Sequence, residues 1–249
     1  MILVHLKTLF SFRFYHFLAQ LKARYAVGFV LYLFAISVLI FYFFTGAVLK
    51  THLPIFLKNF PQVTFEKGVL TDPQQAVAAP ISGTDFQIVF DAAAQTPPSV
   101  QELMTNHTLA WVHKNQIYIP SANGLQTQTI PANVSFTSTP QTLEKYQGTL
   151  QTSLRVAAFV SSLFLIAFIL VMDYCLALAV VLCFHIFRHI FLPKTMLLKY
   201  AAFLLGPLTT LWIVRLWVNI PLFSIAQLIL CIIYTQQIFN SIPGSSHEN

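Results

Sequence analysis

Apolar positions in this chain are gathered into long runs, and polar positions into one block between the first two of them. Residues 26–49 carry no charged side chain. At a rise of about 1.5 Å per residue, a helix over that run spans about 36 Å, more than the ~30 Å of a bilayer's hydrocarbon core. The run is too long and too aromatic for a cleaved signal peptide, whose apolar core is about 7–15 residues, so it is expected to stay as an anchor. A second run, 154–188, holds neither Gly nor Pro. It lacks the turn chemistry for an internal hairpin and predicts one long helix. A loop at 189–196 leads to a third run at 197–218. Asn219, Ile220 and Pro221 predict a turn over 219–221, a fourth run follows at 222–240, and 241–249 is a short polar tail. The fold class expected is a membrane protein, mainly α-helical, with about four transmembrane helices.

The polar block, 50–153, predicts a small extracytoplasmic α+β domain between the first and second spans. Residues 63–70 read as a strand bending near Gly68, and 86–91 alternate as a half-buried strand does. Ser99 and Glu102 have capping-box spacing for a short helix after Pro97 and Pro98. Residues 109–112 and 117–119 flank a hairpin turn. Thr139 and Pro140 open a helix predicted to run on through Leu143 and Leu150 toward the second span.

Composition sharpens this picture. Charged residues make up 9% of the 249, against about 25% in soluble domains. The net charge of +6 is spread over the ends of the apolar runs, which reads as topology and excludes a nucleic-acid partner. Lys7, Arg13, Lys22 and Arg24 precede the first run, and Arg188, Lys194 and Lys199 border the loop between the second and third. By the positive-inside rule both termini are then cytoplasmic and the domain at 50–153 lies outside. Residues 1–25, basic and aromatic, read either as a cytoplasmic helix on the inner membrane surface or as a disordered basic flank. The three cysteines, Cys175, Cys183 and Cys231, all lie in apolar runs, so no disulfide framework holds the outer domain.

Four residues stand out as candidates for function. Asp173 is an acid inside an apolar run, about 28 Å along its helix and so near the inner interface, where Arg188 or Lys194 is its expected partner. Arg215 lies about 24 Å into the third run, near the outer surface, at the opposite depth from Asp173; it is expected to snorkel outward or to meet the outer domain. Pro207 removes a helical donor and predicts a kink. Gln227 belongs to a stripe with Ser224, Cys231 and Tyr234 that should face other helices. His185 and His189 are spaced as a metal pair would be on a helix, but no third ligand is evident. Familiar catalytic and nucleotide-binding motifs are absent, and no catalytic residue, metal site or cofactor is expected.

Several segments carry a resemblance: Ser11-Phe12-Arg13-Phe14, Val63-Thr64-Phe65-Glu66-Lys67-Gly68-Val69-Leu70, the strand at 86–91, and Lys199-Tyr200-Ala201-Ala202 through Gly206-Pro207-Leu208. Through them the chain resembles a bacterial polytopic membrane-protein family sometimes labelled maltodextrin-utilisation protein and related to Yip-type membrane proteins. The resemblance implies the bacterial cytoplasmic (inner) membrane and supplies no catalytic residues. The function expected is that of a non-enzymatic accessory, scaffold or envelope-sensing protein acting through its outer domain, with the lipid bilayer and another membrane or envelope protein as partners. The alternative is a small transporter, or a subunit of an uptake system for an unidentified small molecule, with carbohydrate as one candidate.

Overall fold

The computed structural model of the chain describes residues 1–81, 84–190, 192–218 and 222–242, with Pro140 described by its backbone alone. The expected turn at 219–221 and most of the expected tail at 241–249 lie outside the described residues. Four helices are long and apolar enough to cross a membrane, and a strand-rich region separates the first two. The chain divides into two compact units. One comprises Met1–Thr45 and the described residues from Ala157 on; the other is Gly46–Val156.

The first unit begins with two short helices, α1 (Ile2–Phe10) and α2 (Phe12–Gln20), broken at Ser11, whose backbone is extended. They occupy the segment for which a surface helix or a disordered flank was expected. Thr8, Tyr15, Leu18 and Ala19 are buried, and α2 packs on the later helices α6 (Lys194–Arg215) and α7 (Phe223–Asn240). α3 (Ala23–Lys58) and α5 (Pro140–Phe187) complete the set of long helices. α6 is the centre of this unit. Leu197 and every residue from Tyr200 to Thr209 are buried, as befits a helix apolar on all sides. Phe29 and Leu33 of α3, Ala177 and Val181 of α5, and Cys231 and Ile238 of α7 join the same core.

One long helix, α3, runs past its expected end, and another, α5, begins at Pro140 as the sequence predicts. α3 passes Leu49 and continues through Pro54 to Lys58, although an internal proline removes one helical hydrogen bond. Its last turns are held by packing: Leu53 and Leu57 are buried with Leu143, against Phe56, Phe60 and Phe136. α5 runs unbroken for 48 residues and starts at Pro140, where the Thr139 hydroxyl oxygen accepts from the Thr142 amide at 3.2 Å.

The second unit holds eight strands among its described residues. β1 (Thr64–Glu66), β2 (Val69–Asp72) and β8 (Phe136–Thr137) form a three-stranded sheet in the order β2-β1-β8. β3 (Val77–Pro80), β4 (Gln87–Phe90), β5 (Thr108–His113), β6 (Gln116–Ser121) and β7 (Gly124–Thr129) form a second sheet in sequence order. Among the described residues only β4 and β5 pair in parallel; the short helix α4 (Val100–Thr105) makes that crossover, with the Ser99 hydroxyl accepting from the Glu102 amide. The single strand expected over 63–70 is a hairpin instead. Lys67 and Gly68 both take positive φ, 50° and 78°, which is the two-residue turn that matches strand twist. A Cβ on Gly68 would lie 2.6 Å from the Pro131 carbonyl oxygen, so only glycine fits. Val63, Leu70, Ala79, Phe90 and Val112 form the buried core between the two sheets.

α1 and α3 both pack tightly on α6 at Gly206. A Cβ there would lie 2.6 Å from Thr8 Oγ1 and 3.3 Å from the Phe29 ring. Gly206→Ala is expected to destabilise the chain in detergent by about 1–3 kcal/mol, because the site is already full. Thr8→Ala removes the clashing oxygen, so the double variant should recover part of that loss, with a coupling of about 0.5–3 kcal/mol. Unfolding by denaturant titration reads both; strictly additive costs would contradict the close approach.

Candidate functional site

The polar groups of the first unit meet in two places. At the first, α1 lies across the Gly206-Pro207 segment of α6. His5 Nε2 is 3.2 Å from the Gly206 carbonyl oxygen and 2.9 Å from Thr210 Oγ1. A carbonyl only accepts, so Nε2 carries the hydrogen. Burial holds His5 below the ordinary histidine range, against an opposing pull from the Gly206 carbonyl. A neutral, donating imidazole suits both. Pro207 is therefore where the N-terminal helix docks, and α6 continues through it to Arg215.

Further donors serve the carbonyls left free where the short helices end. The Tyr15 hydroxyl donates to the Thr8 carbonyl at 2.8 Å, and the Tyr234 hydroxyl of α7 donates to the Leu9 carbonyl at 2.7 Å. The Lys199 ammonium donates to the Ala19 carbonyl at 3.0 Å and to the Leu21 carbonyl, both at the end of α2. The Gln20 amide nitrogen lies 3.1 Å from His16 Nε2, which leaves Nδ1 to donate to the Tyr200 hydroxyl at 3.0 Å. Sequence reasoning passed over this network. Its one readable signal was the placing of His5, Thr8, Tyr15 and His16 among apolar neighbours in a segment with no acid.

The second meeting place is Asp173 and Gln227. Asp173, on α5, is 6% exposed, and its Oδ1 accepts from Gln227 Nε2 of α7 at 3.1 Å. Its other oxygen, Oδ2, is buried with no hydrogen-bond partner among the described residues. The expected partner, Arg188 or Lys194, is thus replaced by an amide, because α5 turns this residue toward α7. Cys231 and Thr235 follow Gln227 at spacings of four and eight on α7, and all three are buried. Arg215 is elsewhere: its guanidinium lies over the Phe223 ring, 4.4 Å from the centroid. Of the four candidates, the structure joins Asp173 to Gln227 and leaves Pro207 and Arg215 in separate surroundings.

His185 and His189 do not share a helix face. α5 ends at Phe187, and His189 lies beyond it with φ of 50°. Among the described residues no group of three His, Cys, Asp or Glu side chains is placed to hold a metal ion.

A family model described as "Protein of unknown function (DUF1189)" matches residues 6–241. The chain belongs to this family. The match itself is silent on maltodextrin and on Yip-type proteins. No curated protein and no solved structure matches the chain.

Removing one partner of a buried pair costs more than removing both. Gln227→Leu leaves the Asp173 carboxyl without its donor and should destabilise the chain by about 1–3 kcal/mol, while the double variant with Asp173→Leu should cost less than Gln227→Leu alone. Chemical unfolding in detergent measures both. A double variant less stable than either single one would show that the two residues act independently.

Proposed function

We propose that this chain is a membrane-anchored accessory protein that recognises another envelope protein through its strand-rich unit. In this reading the four long apolar helices cross the bacterial cytoplasmic membrane. Both termini are cytoplasmic, and Gly46–Val156 contains the part exposed outside. The charge distribution supports that orientation. Among the described residues, the helical unit holds eight strong bases, Lys7, Arg13, Lys22, Arg24, Arg188, Lys194, Lys199 and Arg215, against one acid, Asp173. The strand-rich unit holds six of each sign.

The observation that carries the recognition role is strand β7. It pairs with β6 in continuous register, from Gln116 opposite Thr129 to Ser121 opposite Gly124. On its other side it meets no strand among the described residues. Soluble domains blunt such an edge with charge, proline, a bulge or a covering segment. β7 reads Gly-Leu-Gln-Thr-Gln-Thr, with neither charge nor proline, and its last four residues are exposed. An open, polar, uncharged edge is what an extended peptide needs to add as a further strand, with main-chain hydrogen bonds supplying affinity. The partner fitting this edge is an extended segment of another envelope protein.

A photo-crosslinking residue in place of Thr127 tests the proposal in intact cells, followed by gentle extraction. The expected result is one discrete crosslinked species. Gln126→Lys with Gln128→Lys should reduce it about tenfold or more, since two edge charges oppose strand addition while leaving the buried core untouched. Recovery of monomer alone, or equal crosslinking with the lysines in place, contradicts the proposal.

A further inference from the structure

α3, α5 and α6 do not close completely on one another. Between them lies a groove of about 590 Å³, contained within the first unit. Small residues cause it: Ala23 and Ala26 on α3, Ala167 on α5 and Ala202 on α6 stand where larger side chains would let the helices meet. Its floor is buried, at Ala26, Leu170, Ala202 and Leu205, whereas Val27, Leu31, Val171 and Leu198 are exposed along its rim. The lining is aliphatic along most of its length. A dry gap loses the dispersion contacts that its walls would otherwise make, so an apolar groove of this size calls for an apolar occupant.

One end of the groove is different. α3 and α6 both begin there, with Ala23 and Thr195 in the lining. The side-by-side start is consistent with Phe29 meeting Phe203 at 5.3 Å between ring centroids. Lys22 and Arg24 flank Ala23, Lys194 adjoins Thr195, and Lys199 lines the groove itself. Lys22, Arg24 and Lys194 are exposed. Lys199 uses two of its three donors on the Ala19 and Leu21 carbonyls and keeps one. Neither helix has an acid in its first turn, and the positive ends of both helix dipoles add to the same field.

We propose that this groove is a binding site for one anionic phospholipid, with an acyl chain lying along Val30, Phe34, Leu170 and Leu205 and the phosphate held among Lys22, Arg24, Lys194 and Lys199. The inference rests on the reading that these helices are inserted in a bilayer. The buried apolar floor and the placing of four bases at one end distinguish this site from the general lipid-facing surface.

The full-length chain, purified in mild detergent, is titrated with dioleoylphosphatidylglycerol or dioleoylphosphatidylcholine, and bound lipid is counted by native mass spectrometry. The wild type should retain one phosphatidylglycerol, at an occupancy about tenfold or more above phosphatidylcholine, given the attraction each nearby base contributes. Lys22→Gln, Arg24→Gln and Lys194→Gln together should bring the anionic lipid down to the level of the neutral one. These side chains are exposed, so the fold survives their loss. Ala167→Trp, on the exposed rim of the groove, should abolish retention of either lipid. Equal retention of the two lipids by the wild type, or retention unchanged by the charge or tryptophan variants, overturns the proposal. If the chain instead stays soluble without detergent, the insertion reading fails, which is a separate result from absent lipid selectivity.

Discussion

Where α1 crosses α6 there is no room for a side chain at position 206, and the helical unit is organised around that contact. Thr8 and Phe29 fill the space a Cβ would take, while His5 reaches the Gly206 carbonyl beside Pro207. Bringing α1 this close obliges the chain to break at Ser11, and each break in a helix frees carbonyls that water cannot reach in an apolar setting. Tyr15, Tyr234 and Lys199 supply the missing donors. The result covers the middle of α6, from Tyr200 to Thr209, which accounts for a stretch of helix without a polar face.

In the proposed reading, recognition and anchoring fall to different parts of the sequence. The helical unit is basic and apolar, and its one described acid is hydrogen-bonded to Gln227. The strand-rich unit has balanced charge, a small core around Phe90 and Val112, and an edge strand that pairs on one side alone among the described residues.

The long apolar helices were legible because length and apolarity act locally: an uncharged run of this size has few other solutions. The hairpin around Lys114 and the Ser99 cap were legible for the same reason. What escaped notice depended on contacts between distant residues. α3 survives Pro54 because Leu53 and Leu57 pack on Leu143, some ninety positions away. Residues 63–70 fold back on themselves because the Pro131 carbonyl leaves space only for Gly68. Asp173 looked like a partner for a nearby base because charge is visible in a sequence and helix rotation is not. Its bond to Gln227 joins positions 54 apart in the chain. The docked N-terminal pair was hardest to see, since its signals are single hydroxyls and imidazoles whose acceptors are backbone carbonyls.

The proposed role depends most on the apolar helices crossing a bilayer with the strand-rich unit on the far side from the basic ends. Cysteine labelling in intact cells measures this directly, using a chain whose three native cysteines are replaced by serine. A membrane-impermeant maleimide should label a cysteine placed at exposed Thr127 without permeabilisation, and a cysteine placed at exposed Lys22 only after it. The opposite pattern, or release of the chain from membranes by alkaline carbonate, would contradict it.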